Sequence, residues 1–138
     1  MPGKRFYIAW LSASSSMFVL SYIWHGVILN DFSKLPYSEA MFFCLVGLVY
    51  LIIGFGLSFT QHILKISSAR IPKMAAIGGA LGFFVYLIAF TLGVSFNAGS
   101  ITHVVIDFVW QMLEQASGGV AVAIIYSLAA QRDKLFAG

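Results

Sequence analysis

Asp107 and Glu114 are the residues of this chain most able to do chemistry, because both fall inside a long apolar stretch. They are seven positions apart, and His103 and Gln111 extend the same helical face at spacings of three and four. An ionisable group within a membrane span is costly unless it faces protein or water. We therefore predict that this stripe points inward. At the rise of a helix, Glu114 lies about 18 Å from the outer end of its span, where we expect it to be protonated or paired.

The first apolar stretch supplies the expected partner for the shallower acid. His25 comes about four residues before the outer end of this stretch, at nearly the depth of Asp107. The two side chains are therefore predicted to touch. Ser21 precedes His25 by one helical turn and shares its face, while Trp24 and Trp110 flank the polar residues of the two helices.

Three interpretations of His25, His103, Asp107 and Glu114 remain open. The first is a buried hydrogen-bonded network that fixes the register of the helices and binds no ligand. The second is a polar cavity, open to the outside, that binds or passes a small polar solute, a proton or a cation. The third is a cofactor site, in which His25, His103 and Asp107 hold a divalent metal or the two histidines bind haem.

Catalysis is the weaker interpretation. An enzyme needs a nucleophile, a base and an orienting group in one place, and Ser21 is the only serine close enough to His25 and Asp107 to serve. A serine within a span usually bonds its own backbone instead. The single cysteine, Cys44, excludes both an internal disulfide and a paired-cysteine redox centre. We expect no catalytic residue.

The composition indicates that this protein is embedded in a lipid membrane. Of its 138 residues 60% are hydrophobic and only 9% are charged, which would leave a water-soluble protein with an extensively apolar surface. The net charge of +3 does not indicate nucleic acid, because the basic residues are scattered between apolar stretches and form no basic face.

Four apolar stretches account for most of the chain, at about 6–29, 40–64, 74–96 and 102–130. Each exceeds the roughly 20 residues that a helix needs to cross the hydrocarbon. Barrel strands would be about half as long and would alternate polar with apolar residues. The sequence therefore predicts an all-α membrane protein, a single domain over 1–138 made of four transmembrane helices.

The basic residues predict the orientation of these helices. Seven of the eight fall on one side, namely Lys4, Arg5, Lys65, Arg70, Lys73, Arg132 and Lys134, and only Lys34 falls on the other. Because lysine and arginine resist transfer across the membrane, that side is predicted to be cytoplasmic, with both termini on it. Short connections then favour an up-down-up-down bundle of neighbouring helices. We expect a location in the inner (plasma) membrane of a bacterium.

Glycines mark the faces through which the helices are expected to pack. Gly78 and Gly82 have the spacing that lets two helices approach closely in lipid, and Gly118 and Gly119 lie near the middle of the fourth helix. The Gly78 face is predicted to pack within one bundle or, alternatively, to form a homo-oligomer.

These observations predict a small membrane protein that handles a small ligand, proton or cation at a polar site in the outer half of the bundle. Gln61, His62 and Gln115 are the candidates for an inner exit from that site. The alternative is an accessory subunit of a larger membrane complex, which would require no chemistry of its own, or which would carry haem on His25 and His103.

Overall fold

A computed structural model of the chain describes residues 3–30, 32, 38–64, 70–92 and 100–136. The described residues form helix α1 (Lys4–Ser21), a wider π-helical turn that continues it (Tyr22–Ile28, the π-turn), and helices α2 (Glu39–Leu64), α3 (Ile71–Thr91) and α4 (Ile101–Phe136). The expected outer loops lie largely outside the described residues. Lys34 and Lys65 also lie outside them.

All four helices are long and apolar enough to cross a membrane. With its π-turn, α1 has 25 residues, α2 has 26, α3 has 21 and α4 has 36. A helix of about 20 apolar residues is sufficient to span the hydrocarbon. The prediction of four helices that are long and apolar enough to span a membrane is confirmed.

The outer faces of the helices are as apolar as lipid requires. Large aliphatic and aromatic side chains are exposed on them, for example Leu48, Ile52, Phe84 and Ile88, which are 56–64% accessible. Hydrophobic residues at such positions would be a liability in water, but they match the acyl chains of a bilayer. A lipid environment is consistent with this surface.

Several helix ends differ from the apolar boundaries, and the causes are clear for the start of α3 and the end of α4. Helix α3 begins at Ile71, earlier than the predicted Met74, because Pro72 occupies the first turn, where a missing N–H costs nothing. Helix α4 runs to Phe136, well past the predicted end at Ala130, because its exposed last turns continue the helix with polar residues. The bounds of an apolar stretch therefore show which part of a helix is apolar enough for lipid. They do not show where the helix begins and ends.

The π-turn closes the first span. The backbone N–H of Leu29 donates to the Trp24 carbonyl, five residues back, at 2.9 Å. Asn30 follows with a φ of 52°, a left-handed conformation that asparagine tolerates better than most residues and that ends the helix. Wide turns of this kind are rare and occur frequently at functional sites.

Helices α1 and α4 form the centre of the bundle. Helix α1 packs against α2 and α4, whereas α3 packs mainly against α4 and barely touches α2. The expectation that all sequential helices are close neighbours is therefore not met by α2 and α3. The buried core between the helices consists of small and aliphatic side chains, chiefly Ala9, Ala13, Met17, Leu57, Met74 and Val122.

The start of α1 lies beside the ends of α2 and α4. Arg5 at the start of α1 forms an ion pair with Asp133 near the end of α4. The ring of Phe6 lies 6.0 Å from that of His62, near the end of α2. The first turn of α1 therefore contacts the last turns of two other helices.

Glycines allow α3 and α4 to approach to backbone contact. A Cβ atom added to Gly78 would lie 2.9 Å from the carbonyl carbon of Gln115, and one added to Gly82 would lie 2.6 Å from the carbonyl oxygen of Gln111. Gly119 meets the backbone of Met74 from the other side, where an added Cβ would be 2.8 Å from its carbonyl carbon. The Gly78 face is thus occupied by α4 of the same chain.

Candidate functional site

Glu114 lies at the centre of the polar site. Its side chain is only 1% exposed, on the face of α4 that points into the bundle. The phenol of Tyr50, on α2, donates a hydrogen bond to its Oε1. Gln111, one turn earlier on α4, donates a longer bond of 3.5 Å to the same oxygen. The carboxyl is therefore held from its own helix and from a neighbouring one.

Two further side chains face this carboxyl. They are Ser21, the last residue of α1, and Trp110 of α4. Ser21 is 5% exposed, so its hydroxyl is buried with the carboxyl. The polar site thus draws on three helices. Ser21, Trp110, Gln111 and Glu114 were all named as site residues from the sequence, and the structure brings these four together.

The hydrogen-bonding capacity around Glu114 is not used up. Within the described part of the chain, its Oε2 atom is buried without a hydrogen-bond partner, and so is the indole nitrogen of Trp110. An unpaired buried polar atom costs about 1–3 kcal/mol, and native proteins rarely leave one without a reason. The Oε2 atom therefore can accept one more hydrogen bond, either from the indole of Trp110 that faces it or from a further group.

Tyr50 is the residue of this site that sequence reasoning missed. It is 6% exposed and lies in the most apolar of the four helices, among phenylalanines and aliphatic residues. Nothing in its spacing distinguishes it from an aromatic residue that packs in the core. The usable signal was chemical, since a tyrosine hydroxyl in the middle of a span needs a hydrogen-bond partner.

Asp107 occupies a second polar position, two turns towards the start of α4. It is half-buried, and the indole nitrogen of Trp24 donates to its Oδ1 at 3.4 Å. The same Trp24 ring stacks on Trp110 with centroids 4.3 Å apart and planes inclined by 13°. The two tryptophans therefore connect the Asp107 position with the Glu114 position.

The two histidines are placed differently. His25 is half-buried in the π-turn, next to Trp24. His103 is exposed at the start of α4, where its Nδ1 lies 2.6 Å from the Ser100 hydroxyl and its backbone N–H donates to the same oxygen at 3.3 Å. Ser100 acts there as the residue that caps the helix.

A metal centre is not evident in the described part of the chain. No group of three or more histidine, cysteine, aspartate or glutamate side chains is close enough there to hold an ion. His25, His103 and Asp107 do not form such a group, since His103 is at the exposed end of α4. Haem or metal binding stays a prediction from the sequence alone.

A second buried polar layer follows Glu114 along α4. Gln115 is fully buried, and Ser58 and Gln61 of α2 are 0% and 3% exposed. Both polar atoms of the Gln115 amide, and the Ser58 hydroxyl, have no hydrogen-bond partner among the described residues. Ser16 and Ser117 add a hydroxyl pair at 3.2 Å between α1 and α4. Polar groups thus continue past Glu114 towards the end of α4.

The arrangement surrounds one buried carboxyl group with hydroxyl, amide and indole groups. A carboxyl group is able to carry a proton or to coordinate a cation, and neighbours of this kind orient it by hydrogen bonds. No protein-family model, curated protein or solved structure matches this chain, so the side chains themselves carry the functional argument.

Proposed function

We propose that this chain is an integral membrane protein that binds a small cation at Glu114 in exchange for a proton. The observation that carries this proposal is the fully buried Glu114 carboxyl, whose Oε2 atom has no hydrogen-bond partner among the described residues. A bare carboxylate at such a position would be costly. The group must therefore carry either a proton or a bound cation.

A second acid near the carboxyl supports a cationic ligand. Trp110, which faces the Glu114 carboxyl, stacks on the ring of Trp24. Asp107, bonded to Trp24, adds a second acid on the side of the bundle where α4 starts.

The proposal includes a route from outside the bundle to Glu114. His103 would stand at the exposed rim, with His25 and Asp107 below it and Ser21, Gln111 and Glu114 at the end. Gln115, Ser58 and Gln61 would extend the route inward. The helices in this proposal form an up-down-up-down bundle with both termini in the cytoplasm of a bacterium. The distribution of basic residues and the contact between Arg5 and Asp133 support that topology.

Infrared difference spectroscopy on the purified protein in lipid nanodiscs tests the exchange directly. A protonated carboxyl has a C=O stretching band that ionisation removes. We expect addition of Na⁺, K⁺ or tetramethylammonium to remove one such band and to release a proton into weakly buffered solution. Glu114→Gln should abolish both signals for whichever cation binds.

The matched control is Glu39→Gln, which makes the same chemical change in an exposed residue at the start of α2. This variant should retain the band and the proton release. The melting temperature of each variant shows whether the bundle is intact. A cation response that persists in Glu114→Gln, or no response to any of the three cations in the intact protein, would refute the proposal and leave the carboxyl with a structural role.

A further inference from the structure

The start of α1 and the end of α4 form a second potential site, separate from Glu114. Two cavities of about 370 and 280 Å³ lie there, and Lys4, Arg5 and Arg132 line both of them. The larger one also borders Gly3, Phe6, His62 and Tyr126. Three basic residues thus surround a concave region between helix ends.

The smaller cavity has an apolar wall. Beyond the basic residues it is lined by Ile8 of α1 and by Ile125, Leu128 and Ala129 of α4. Ile8 and Leu128 are more than half exposed on the outer surface of the bundle. The region is therefore cationic at the helix ends and aliphatic along the helices.

The cations in this region outnumber the acids. Arg5 pairs with Asp133, but both side chains are nearly half exposed, so the pair is weak and an anion can compete for the guanidinium. Within the described residues, neither Lys4 nor Arg132 forms an ion pair. Gly3 supplies no capping side chain and the first turn of α1 contains no acid, which leaves the positive end of that helix facing the same region.

We propose that this region binds one anionic phospholipid. Lys4, Arg5 and Arg132 would contact the phosphate of its headgroup, and an acyl chain would lie along Ile8 and Leu128. Basic pockets at the ends of membrane helices suit such headgroups, and the guanidinium group matches the geometry of a phosphate. The aliphatic wall favours a lipid over a free phosphate ion, because a phosphate ion has no apolar part to pack against it.

Native mass spectrometry of the detergent-solubilised protein tests this site. With equal amounts of phosphatidylglycerol and phosphatidylcholine added, we expect the anionic lipid to be retained selectively. The double variant Lys4→Gln/Arg132→Gln should bind phosphatidylglycerol roughly 30-fold more weakly, given the contribution of each basic side chain beside an anionic lipid. Asp133→Asn should bind it more tightly, because Arg5 is released.

The matched control is Arg70→Gln/Lys73→Gln, which removes two exposed basic charges from the start of α3, outside both cavities. This variant should bind like the unaltered protein. Ala129→Phe fills the aliphatic wall without a change in charge and should also weaken retention. Equal loss in the two double variants would indicate a general effect of charge and overturn the proposal. So would retention of both lipids alike, or displacement of the lipid by inorganic phosphate.

Discussion

The contact between α3 and α4 makes the most discriminating prediction, because two adjacent glycines differ sharply in their surroundings. A Cβ atom on Gly78 would lie 2.9 Å from the carbonyl carbon of Gln115 and 3.0 Å from the Cα atom of Ala116. A Cβ atom on Gly79 would lie 3.7 Å from its nearest neighbour, the carbonyl oxygen of Met112. Only the first position is closed to a methyl group.

The expected free energies follow from these distances. Comfortable contacts between carbon atoms are about 3.5–4.0 Å, so Gly78→Ala must push two backbones apart by roughly 0.5–1 Å. Overpacking of this kind costs about 1–3 kcal/mol, and the clash is with backbone, which cannot rotate away. Alanine recovers up to about 1 kcal/mol through its helix propensity. We expect Gly78→Ala to lose about 1–2 kcal/mol of unfolding free energy and Gly79→Ala to be neutral or slightly more stable.

Reversible unfolding in mixed micelles, followed by tryptophan fluorescence as sodium dodecyl sulfate is added, measures both variants. The stacked Trp24 and Trp110 rings report on the separation of α1 from α4, and circular dichroism shows whether the helices persist. Gly56→Ala is a further control, because a Cβ atom there has no neighbour within 4 Å. Equal stabilities for Gly78→Ala and Gly79→Ala would refute the backbone contact between α3 and α4.

Three other substitutions have smaller expected effects on the same unfolding measurement. Ser14→Ala removes a hydroxyl 3.0 Å from the Tyr50 carbonyl of α2 and should cost about 0.6 kcal/mol, as interhelical hydrogen bonds in membranes do; no change would mean that its bond to its own helix satisfies it. Asp133→Asn should cost less than about 1 kcal/mol, because its ion pair is exposed; a loss well above that would show a buried pair. Asp107→Ala should cost about 1 kcal/mol through its bond from Trp24, and an unchanged midpoint would contradict that contact.

Much of the fold was predictable because lipid imposes few choices. A stretch of more than 20 apolar residues leaves helix as the only conformation that satisfies its own backbone groups. The inward direction of Glu114 followed from the cost of an acid among acyl chains. What the sequence did not predict was the separation of α2 from α3. The glycines of α3 indicate that another helix approaches closely, but their spacing does not say which helix it is.

The site was predictable in its α4 half and less so elsewhere. Ser21 and His25 are four residues apart, and the sequence predicts a regular helix through both, whereas the structure has a π-turn that begins directly after Ser21. The hydrogen bond from Trp24 to Asp107 was not predicted from the sequence. The partner of Tyr50 could not be identified from spacing, because it lies 64 positions away in the chain.

Helix α4 runs without a break from Ile101 to Phe136, and it carries the buried acid, the glycine contact with α3 and part of the basic end. The hydrogen-bonded backbone of one helix connects all three. A displacement at Gly119 therefore also affects the position of the Glu114 carboxyl, between one and two turns before it, and of Arg132, more than three turns after it. Mechanically, these three parts of the protein share one component, and a variant designed for any of them has to be checked at the other two.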